Sequence, residues 1–342
     1  MKVGVIGATG LVGTEMLRLL EERSFPVDEL RVYASARSEG RVLPFAGGEV
    51  VCETLRPGGF DGLDLVVVDV DDPLALEWAP QAAAAGAIVV DNSAAFRSEP
   101  DVPLVVAEVN PDDVHDAPRN IIACPNCTTM VLLTALAPLH RAVPIRRMVV
   151  STYQAVSGAG QAGLDELADQ WTRWSDASAT LRRAGAIPGT LTPGAVWSRP
   201  IAGNVIPLAG SVKEEGYTSE EWKLVRESRK ILHHPELRAT GTCVRVPVYV
   251  GHSMTANVEF AGPMDRDRAA TLLADAPGVT LVDDGHGAPT ALEGAGVDPV
   301  LVGRLRDDPS QEHTLDLWVT GDNLRKGAAL NAVQIAELLV RS

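Results

Sequence analysis

Pro125-Asn126-Cys127-Thr128-Thr129 is the segment of this chain best suited to covalent chemistry. An apolar, strand-like run ends in Ile122-Ala123 just before it, and an apolar-periodic segment, Met130 to His140, follows. Cys127 therefore falls in the first turn of a helix, where unpaired N–H groups and the helix dipole favour a negative charge. A thiol placed there ionises more readily and becomes a nucleophile. A single cysteine is more often buried and inert. Here the cap position and its neighbours favour catalysis.

A second motif, Gly7-Ala8-Thr9-Gly10-Leu11-Val12-Gly13, follows the first strand and opens a helix. Its Gly-x-x-Gly-x-x-Gly spacing is a variant of the dinucleotide fingerprint, in which glycines admit a pyrophosphate to the backbone and the helix N-terminus takes its charge. The second strand, Leu30-Arg31-Val32-Tyr33, lacks the terminal acid that would hold a ribose hydroxyl of NAD. It runs instead into Ser35-Ala36-Arg37-Ser38, and an arginine between two serines suits the 2′-phosphate of NADP.

These groups need a scaffold, and the hydrophobic pattern supplies one. Val3–Ile6, Leu30–Tyr33, Leu65–Val70, Ile88–Asp91 and Leu104–Val106 read as buried strands. Gly13 to about Glu22 and the Ala-rich Pro80–Ala85 read as helices between them. Such alternation predicts an α/β fold with a parallel, doubly wound sheet, a Rossmann-type arrangement. From about Met148 longer amphipathic strands appear, Met148–Tyr153, Cys243–Val250 and Thr255–Phe260, which predict an α+β part with a mixed sheet. Ser175 to Pro200, rich in Gly, Pro, Ala and Ser, reads as irregular, and Gly327 to Leu339 as an amphipathic C-terminal helix.

Composition sets the outer bounds. A chain of 342 residues suggests two domains. A net charge of −15 argues against general nucleic-acid binding, although local arginines can still hold small anions. No apolar run is long enough to span a bilayer, and Met1-Lys2-Val3-Gly4 enters a strand without a signal-peptide pattern, so a cytoplasmic protein is expected. Four cysteines do not make a disulfide scaffold in a chain this size. The spacing of the histidines, His233-His234 included, offers no convincing metal site.

Several further segments complete a family pattern: Asp91-Asn92-Ser93-Ala94-Ala95-Phe96-Arg97, Ser151-Thr152-Tyr153-Gln154-Ala155-Val156-Ser157-Gly158-Ala159-Gly160, Gly241-Thr242-Cys243-Val244-Arg245-Val246-Pro247-Val248, Gly251-His252-Ser253 and Gly321-Asp322-Asn323-Leu324-Arg325-Lys326-Gly327. With the cysteine and glycine motifs, the chain resembles the aspartate-β-semialdehyde dehydrogenases over nearly its full length. Its Pro-Asn-Cys-Thr turn differs from the Pro-Gly-Cys-Tyr type of the related N-acetylglutamyl-phosphate reductases.

The resemblance implies an NADP-binding domain at 1–130, completed by a C-terminal helix at 323–342, and a catalytic and dimerisation domain at 131–322. It implies reductive dephosphorylation of β-aspartyl phosphate to aspartate semialdehyde, and the reverse, through a thioester on Cys127, in lysine, threonine, methionine and diaminopimelate biosynthesis. His252 matches the family acid/base, and Gln154 the glutamine that orients the thioester. Arg245 matches the arginine for the α-carboxylate and Glu220 the acid for the α-amino group. Arg97, Asn126 and Lys223 match the phosphate pocket. Cofactor contacts are implied at Gly7, Thr9, Gly10, Leu11, Val12, Gly13, Ser35, Arg37, Ser38, Gly158 and Asn323. Small-molecule substrate and inorganic phosphate are the expected ligands, and a homodimer or homotetramer the expected assembly.

Two positions depart from the family pattern. Asp69-Val70-Asp71-Asp72 stands where a small neutral loop usually borders the cofactor, and carboxylates there would oppose a pyrophosphate unless they point away. Cys124 stands where Asn is usual and creates Cys124-Pro125-Asn126-Cys127. That spacing can close a disulfide, though a replacement without redox role is the weightier reading. Two rivals to the main function follow: a paralogue acting on another acyl phosphate or thioester, and a catalytically silent homologue with impaired cofactor binding.

Overall fold

Apolar runs without polar alternation become central strands, because both faces of a parallel sheet are covered. β1 (Lys2–Ile6) buries Val3, Val5 and Ile6, and β5 (Leu65–Val68) is buried throughout. In the computed structural model, which describes residues 1–184, 192–282 and 287–341, the chain divides into two units. The first is Met1–Ala137 with Arg226–Glu236 and Leu324–Ser342, and the second is Pro138–Val225 with Leu237–Asn323. The expected boundary near residue 130 thus falls inside a helix, and Arg226–Glu236 groups with the first unit, for which the sequence pattern gave no sign.

The first unit contains β1, α1 (Leu11–Glu22), β2 (Glu29–Ala34), β3 (Val42–Phe45), β4 (Gly48–Thr54), β5, α2 (Asp72–Ala84), β6 (Ile88–Asp91), β7 (Ile121–Ala123), the start of α3 (Cys127–Ala142) and the C-terminal helix Leu330–Arg341. Its sheet has the order β3-β4-β2-β1-β5-β6-β7 and is parallel except for β3. β1 pairs with both β2 and β5, so the strand order reverses around it. Ligands of such sheets bind beyond the carboxyl ends at that reversal, which is where Gly7 to Gly13 lies. Gly7 has φ +88, and a Cβ there would sit 2.0 Å from the Asp69 carbonyl oxygen, so only glycine fits.

The second unit contains β8 (Ile145–Gln154), α4 (Gly160–Thr172), α5 (Trp174–Ala184), the start of α6 (Ser219–Ile231), β9 (Arg238–Arg245), β10 (His252–Phe260), α7 (Arg266–Ala274), β11 (Val279–Leu281), α8 (Ala291–Gly294), β12 (Val300–Asp307) and β13 (Thr314–Gly321). The sheet order is β11-β12-β13-β10-β8-β9. β8 runs parallel to β9 and antiparallel to β10, so the sheet is mixed, as expected.

Several local expectations need correction. Leu104–Val106 is not a strand. Only Leu104 bridges to Ala123, because Pro103 offers no N–H to extend the ladder. The strand expected over Leu65–Val70 ends at Val68, where the chain turns into Asp69. Pro80–Ala85 is the end of a longer helix, α2, whose start is marked by Asp71 and Pro73. The strand expected over Cys243–Val250 stops at Arg245, ahead of Pro247, and His252 opens its own strand, β10. Within Ser175–Pro200 the structure forms helix α5 up to Ala184, while 185–191 lie outside the described residues. The β3–β4 hairpin escapes the pattern because its turn is Ala46-Gly47, with φ +51 and +73, rather than an Asn-Gly pair.

Just past β5 the acidic segment divides. Asp71 and Asp72 are exposed, and Asp72 accepts the Ala94 N–H at 2.8 Å. Asp69 is half-buried, with one long hydrogen bond from the Asn92 side chain at 3.4 Å. Burial, reinforced by Asp91, pushes its carboxyl from 3.8 to about 6. The folded state then binds this proton more tightly than the unfolded chain, so stability falls as pH rises from about 4 to about 6 and stays lower above. The shift corresponds to at most about 3 kcal/mol. Asp69→Asn is expected to raise the melting temperature at about pH 7.5, with the gain shrinking towards about pH 4.5. Thermal melts of both proteins at the two pH values check this, and an equal or lower melting temperature at the higher pH would refute it.

Candidate active site

The nucleophile turn is built from its backbone outward. β7 ends at Ala123, and Cys124 donates its N–H to the Asp91 carbonyl at 2.7 Å, which fixes the exit of the strand. Asn126 then caps α3: its Oδ1 accepts the Thr128 N–H at 3.0 Å and the Thr128 hydroxyl at 2.5 Å. Cys127 is the first residue of α3 and is partly exposed, whereas Cys52, Cys124 and Cys243 are buried. The predicted cap geometry is therefore present, with the Asn126 amide oxygen committed to the cap.

Arg97 lies in the same unit and is nine-tenths buried. Its Nη2 donates to the Asn92 carbonyl at 2.7 Å, its Nη1 pairs with Glu227 at 3.3 Å, and its buried Nε has no hydrogen-bond partner. A guanidinium with an open donor suits an oxyanion. Glu227 was missed by the sequence reading. Its one signal is spacing, four residues after Lys223 and seven after Glu220, which puts all three on one face of α6.

At the glycine-rich turn, α1 begins without a side-chain cap and with no acid in its first turn. A Cβ at Gly10 would meet only the Gly7 carbonyl oxygen, at 3.3 Å, so this side of the turn is open. Gly13 packs against Gly7 and Ala8. Thr9, Leu11 and Val12 are partly exposed around the open helix end. Ser35 and Arg37 are exposed just past β2, and Ser38 closes a short turn by donating its N–H to the Ser35 carbonyl at 2.8 Å. Uncapped N–H groups, glycine clearance and an exposed arginine after β2 together fit a phosphorylated dinucleotide.

In the second unit, β8 and β9 end side by side, with Gln154 opposite Arg245 in register. The Gln154 amide donates to Glu220 Oε2 at 3.3 Å, and its oxygen accepts the Thr152 hydroxyl at 3.1 Å. Glu220 also takes the Lys223 ammonium at 2.9 Å. Glu220 is buried, so this is no ordinary surface pair. Its neighbour Glu221 is used differently, accepting Thr218 N–H at 2.7 Å and Cys243 N–H at 3.0 Å to cap α6 and hold β9.

The turn after β8 orients the remaining groups. Ala155 donates its N–H to His252 Nδ1 at 3.0 Å, and its carbonyl accepts Arg245 Nη1 at 2.6 Å. His252 is fully buried, and burial with the Arg245 charge pushes its ring down to about 3, against the opposing pull of Glu220. The ring is thus neutral and carries its proton on Nε2. A Cβ at Gly158 would lie 2.9 Å from Arg245 Nη1 and 3.4 Å from His252 Nε2, so glycine keeps this pocket open. Asn323 accepts Gly251 N–H at 2.9 Å and donates to Ser157 Oγ at 2.8 Å, tying the two loops that carry His252 and Gly158. Gln154, Glu220, Lys223, Arg245, His252, Gly158 and Asn323 are therefore assembled within one unit, and Cys127, Asn126, Arg97, the glycine turn and Arg37 within the other.

Among the described residues no group of three or more His, Cys, Asp or Glu side chains could hold a metal ion, and no helix is long and apolar enough to cross a membrane. His286 lies outside the described residues. Cys124 is fully enclosed, accepts a long contact from Asn331 Nδ2 at 3.6 Å, and has its thiol pushed up to about 12 by burial. A thiol so held forms little thiolate at neutral pH, which disfavours exchange with Cys127.

Residues 2–117 match the family model described as "Semialdehyde dehydrogenase, NAD binding domain", and residues 136–326 match "Semialdehyde dehydrogenase, dimerisation domain". The chain is 50% identical to the aspartate-semialdehyde dehydrogenase of Streptomyces akiyoshiensis, covering 99% of this chain and 98% of that one. Its fold matches that of aspartate semialdehyde dehydrogenase II complexed with ASA from Vibrio cholerae, with a TM-score of 0.93, 43% identity and coverage of 100% and 98%. A more distant likeness, with TM-score 0.74, 25% identity and coverage of 99% and 98%, is to the Candida albicans enzyme with NADP. A dinucleotide turn, a capped cysteine and a buried Gln–Glu–Arg–His cluster, in a chain matched end to end by these enzymes, make it a member of the aspartate-semialdehyde dehydrogenase family.

Proposed function

We propose that this chain catalyses the NADP-dependent reductive dephosphorylation of β-aspartyl phosphate to aspartate semialdehyde, and its reverse, through a thioester on Cys127. The observation that carries this reading is the partly exposed Cys127 at the Asn126-capped start of α3, in a chain that also holds a neutral buried histidine. The proposed setting is lysine, threonine, methionine and diaminopimelate biosynthesis in the cytoplasm. A homodimer or homotetramer is the proposed assembly.

The Cys127 thiolate attacks the acyl carbonyl and expels phosphate, for which Arg97, Asn126 and Lys223 are the proposed ligands. Arg245 takes the α-carboxylate by its fork, and Glu220 takes the α-ammonium. Gln154, already fixed by Thr152 and Glu220, orients the thioester. NADPH, when bound at Gly7–Gly13 with Arg37, Ser35 and Ser38 at its 2′-phosphate, supplies a hydride. The resulting alkoxide on the Cys127 adduct needs a donor and no net proton, because its collapse to the aldehyde returns the thiolate. A neutral His252 with hydrogen on Nε2 suits that task better than the acid/base role the sequence implies. In the reverse direction the same N–H steadies the alkoxide formed when the thiolate adds to the aldehyde.

The silent-homologue reading loses its main support, since Asp71 and Asp72 are exposed and the Gly10 side of the turn is open. A direct assay with aspartate semialdehyde, inorganic phosphate and NADP tests the reading, and turnover only with another aldehyde would favour the paralogue. Cys127→Ser is expected to abolish turnover, and His252→Ala to lower kcat by about 10²–10³-fold, both with unchanged circular dichroism. Near-native rates in either variant would refute the assigned roles.

The His252 ring should stay neutral across the working range. An NMR titration following its Cε1 proton, assigned by loss of the signal in His252→Asn, should show no inflection between about pH 5 and pH 8. An inflection near the ordinary histidine value would restore the acid/base role. For the cofactor, NADP is expected to bind more tightly than NAD, and Arg37→Ala to weaken NADP selectively. Fluorescence titrations check both, and tighter NAD binding in the parent protein, or equal weakening of the two, would overturn the assignment of Arg37.

A further inference from the structure

Glu227 is 5% exposed, and a buried carboxylate is costly unless charge and hydrogen bonds compensate it. Its two oxygens are divided between two elements of the same unit. Oε1 pairs with Arg97 Nη1 at 3.3 Å, and Oε2 accepts the Asn126 backbone N–H at 2.7 Å. Asn126 immediately precedes Cys127, the first residue of α3. One carboxylate therefore joins the loop that carries Arg97 to the turn that carries the nucleophile.

We propose that Glu227 is a positioning residue that ties the Arg97 guanidinium to the Cys127 turn and sets the charge that both the thiol and an arriving phosphate encounter. This rests on the reading in which Cys127 is the nucleophile and Arg97 takes the phosphate. The geometry gives Arg97 one arm held by Glu227, one held by the Asn92 carbonyl, and an open Nε for the ligand. The charge has the opposite sense to the α3 dipole: a carboxylate at this end disfavours a thiolate and offsets the Arg97 cation. Other charged or titratable groups nearby are Lys230, which donates to the carbonyls of Arg97, Glu99 and Val102, Asp91, bound to Ser93, and the fully buried Cys124 thiol. The Glu227 carboxylate reaches the turn through a direct bond from the Asn126 N–H.

Glu227→Gln separates geometry from charge, because an amide oxygen can still accept the Asn126 N–H. The readout is the pH dependence of Cys127 alkylation by iodoacetamide on the full chain, with and without inorganic phosphate. In the Gln variant the alkylation midpoint is expected to fall by about 0.5–1 pH unit, and the phosphate concentration giving half-protection to fall several-fold. A role limited to packing would change thermal stability but neither of these. If the Gln variant does not fold, Glu227→Asp keeps the charge but shortens the reach, so the midpoint should stay in place while kcat drops. An unmoved or raised midpoint in folded Glu227→Gln, or a displaced midpoint in Glu227→Asp, overturns the proposal. Failure of the underlying reading looks different: the parent protein would show no phosphate-protected label, or the label would persist in Cys127→Ser.

Discussion

The backbone of Ala155, its N–H in one peptide group and its carbonyl in the next, is the point on which the second unit's chemistry turns. Its N–H goes to His252 Nδ1 and its carbonyl to Arg245 Nη1. The first bond decides the tautomer, since a nitrogen that accepts cannot also carry the proton. The second fixes one arm of a guanidinium whose fork must meet a planar carboxylate. Because the imidazolium would need a proton where Ala155 already donates, burial and hydrogen bonding act in the same direction on the ring. Gly158 follows from this arrangement, because any side chain there would press on both groups at once. The turn after β8 is thus committed before any ligand arrives, the condition for electrostatic preorganisation.

In the first unit the equivalent work is done by buried charges that are paired rather than excluded. Lys326 is fully buried, and burial lowers its affinity for a proton, yet Glu108, Gln334 and Asn331 all receive it. Asn331 in turn donates to the Val105 carbonyl and accepts the Ala107 N–H at 3.1 Å. Those bonds hold the segment that Pro103 prevents from becoming a strand. A polar network replaces a missing ladder, and it is satisfied at each of these atoms, which is the condition under which buried polar groups confer specificity without a large penalty.

Local chemistry was legible in the sequence wherever a motif fixed both residue type and backbone shape. The glycine turn, the Asn126 cap and the alternating strands of the parallel sheet are of this kind. The sheet order around β1 and the mixed second sheet were legible as fold class. Boundaries were not, because they depend on which N–H finds a partner: Pro103 and Pro247 each stopped a ladder that hydropathy alone would have extended. Glu227 was illegible for a different reason. Its partners, Arg97 and Asn126, are 130 and 101 residues away, and only the folded chain shows that a charge at that helical position faces inward. Asp69 is a similar case. The sequence grouped it with Asp71 and Asp72 as one acidic loop, while the end of β5 draws the first partly inward and exposes the other two.

The two cysteines of the Cys124-Pro125-Asn126-Cys127 turn carry the same contrast to its conclusion. They are three residues apart, and the sequence already puts only Cys127 in the first turn of the helix. The strand end decides between them. Cys124 still belongs to the sheet, hydrogen-bonded by its N–H to Asp91 and enclosed on every side, and its thiol is driven up to about 12. Cys127 is past Pro125, where the chain has left the sheet and the cap has been made by Asn126, and it is the one cysteine with part of its surface open. Reactivity here is a property of position relative to a hydrogen-bonded edge. The residue just inside it is packing, and the residue just outside it, at the head of α3, is available for chemistry.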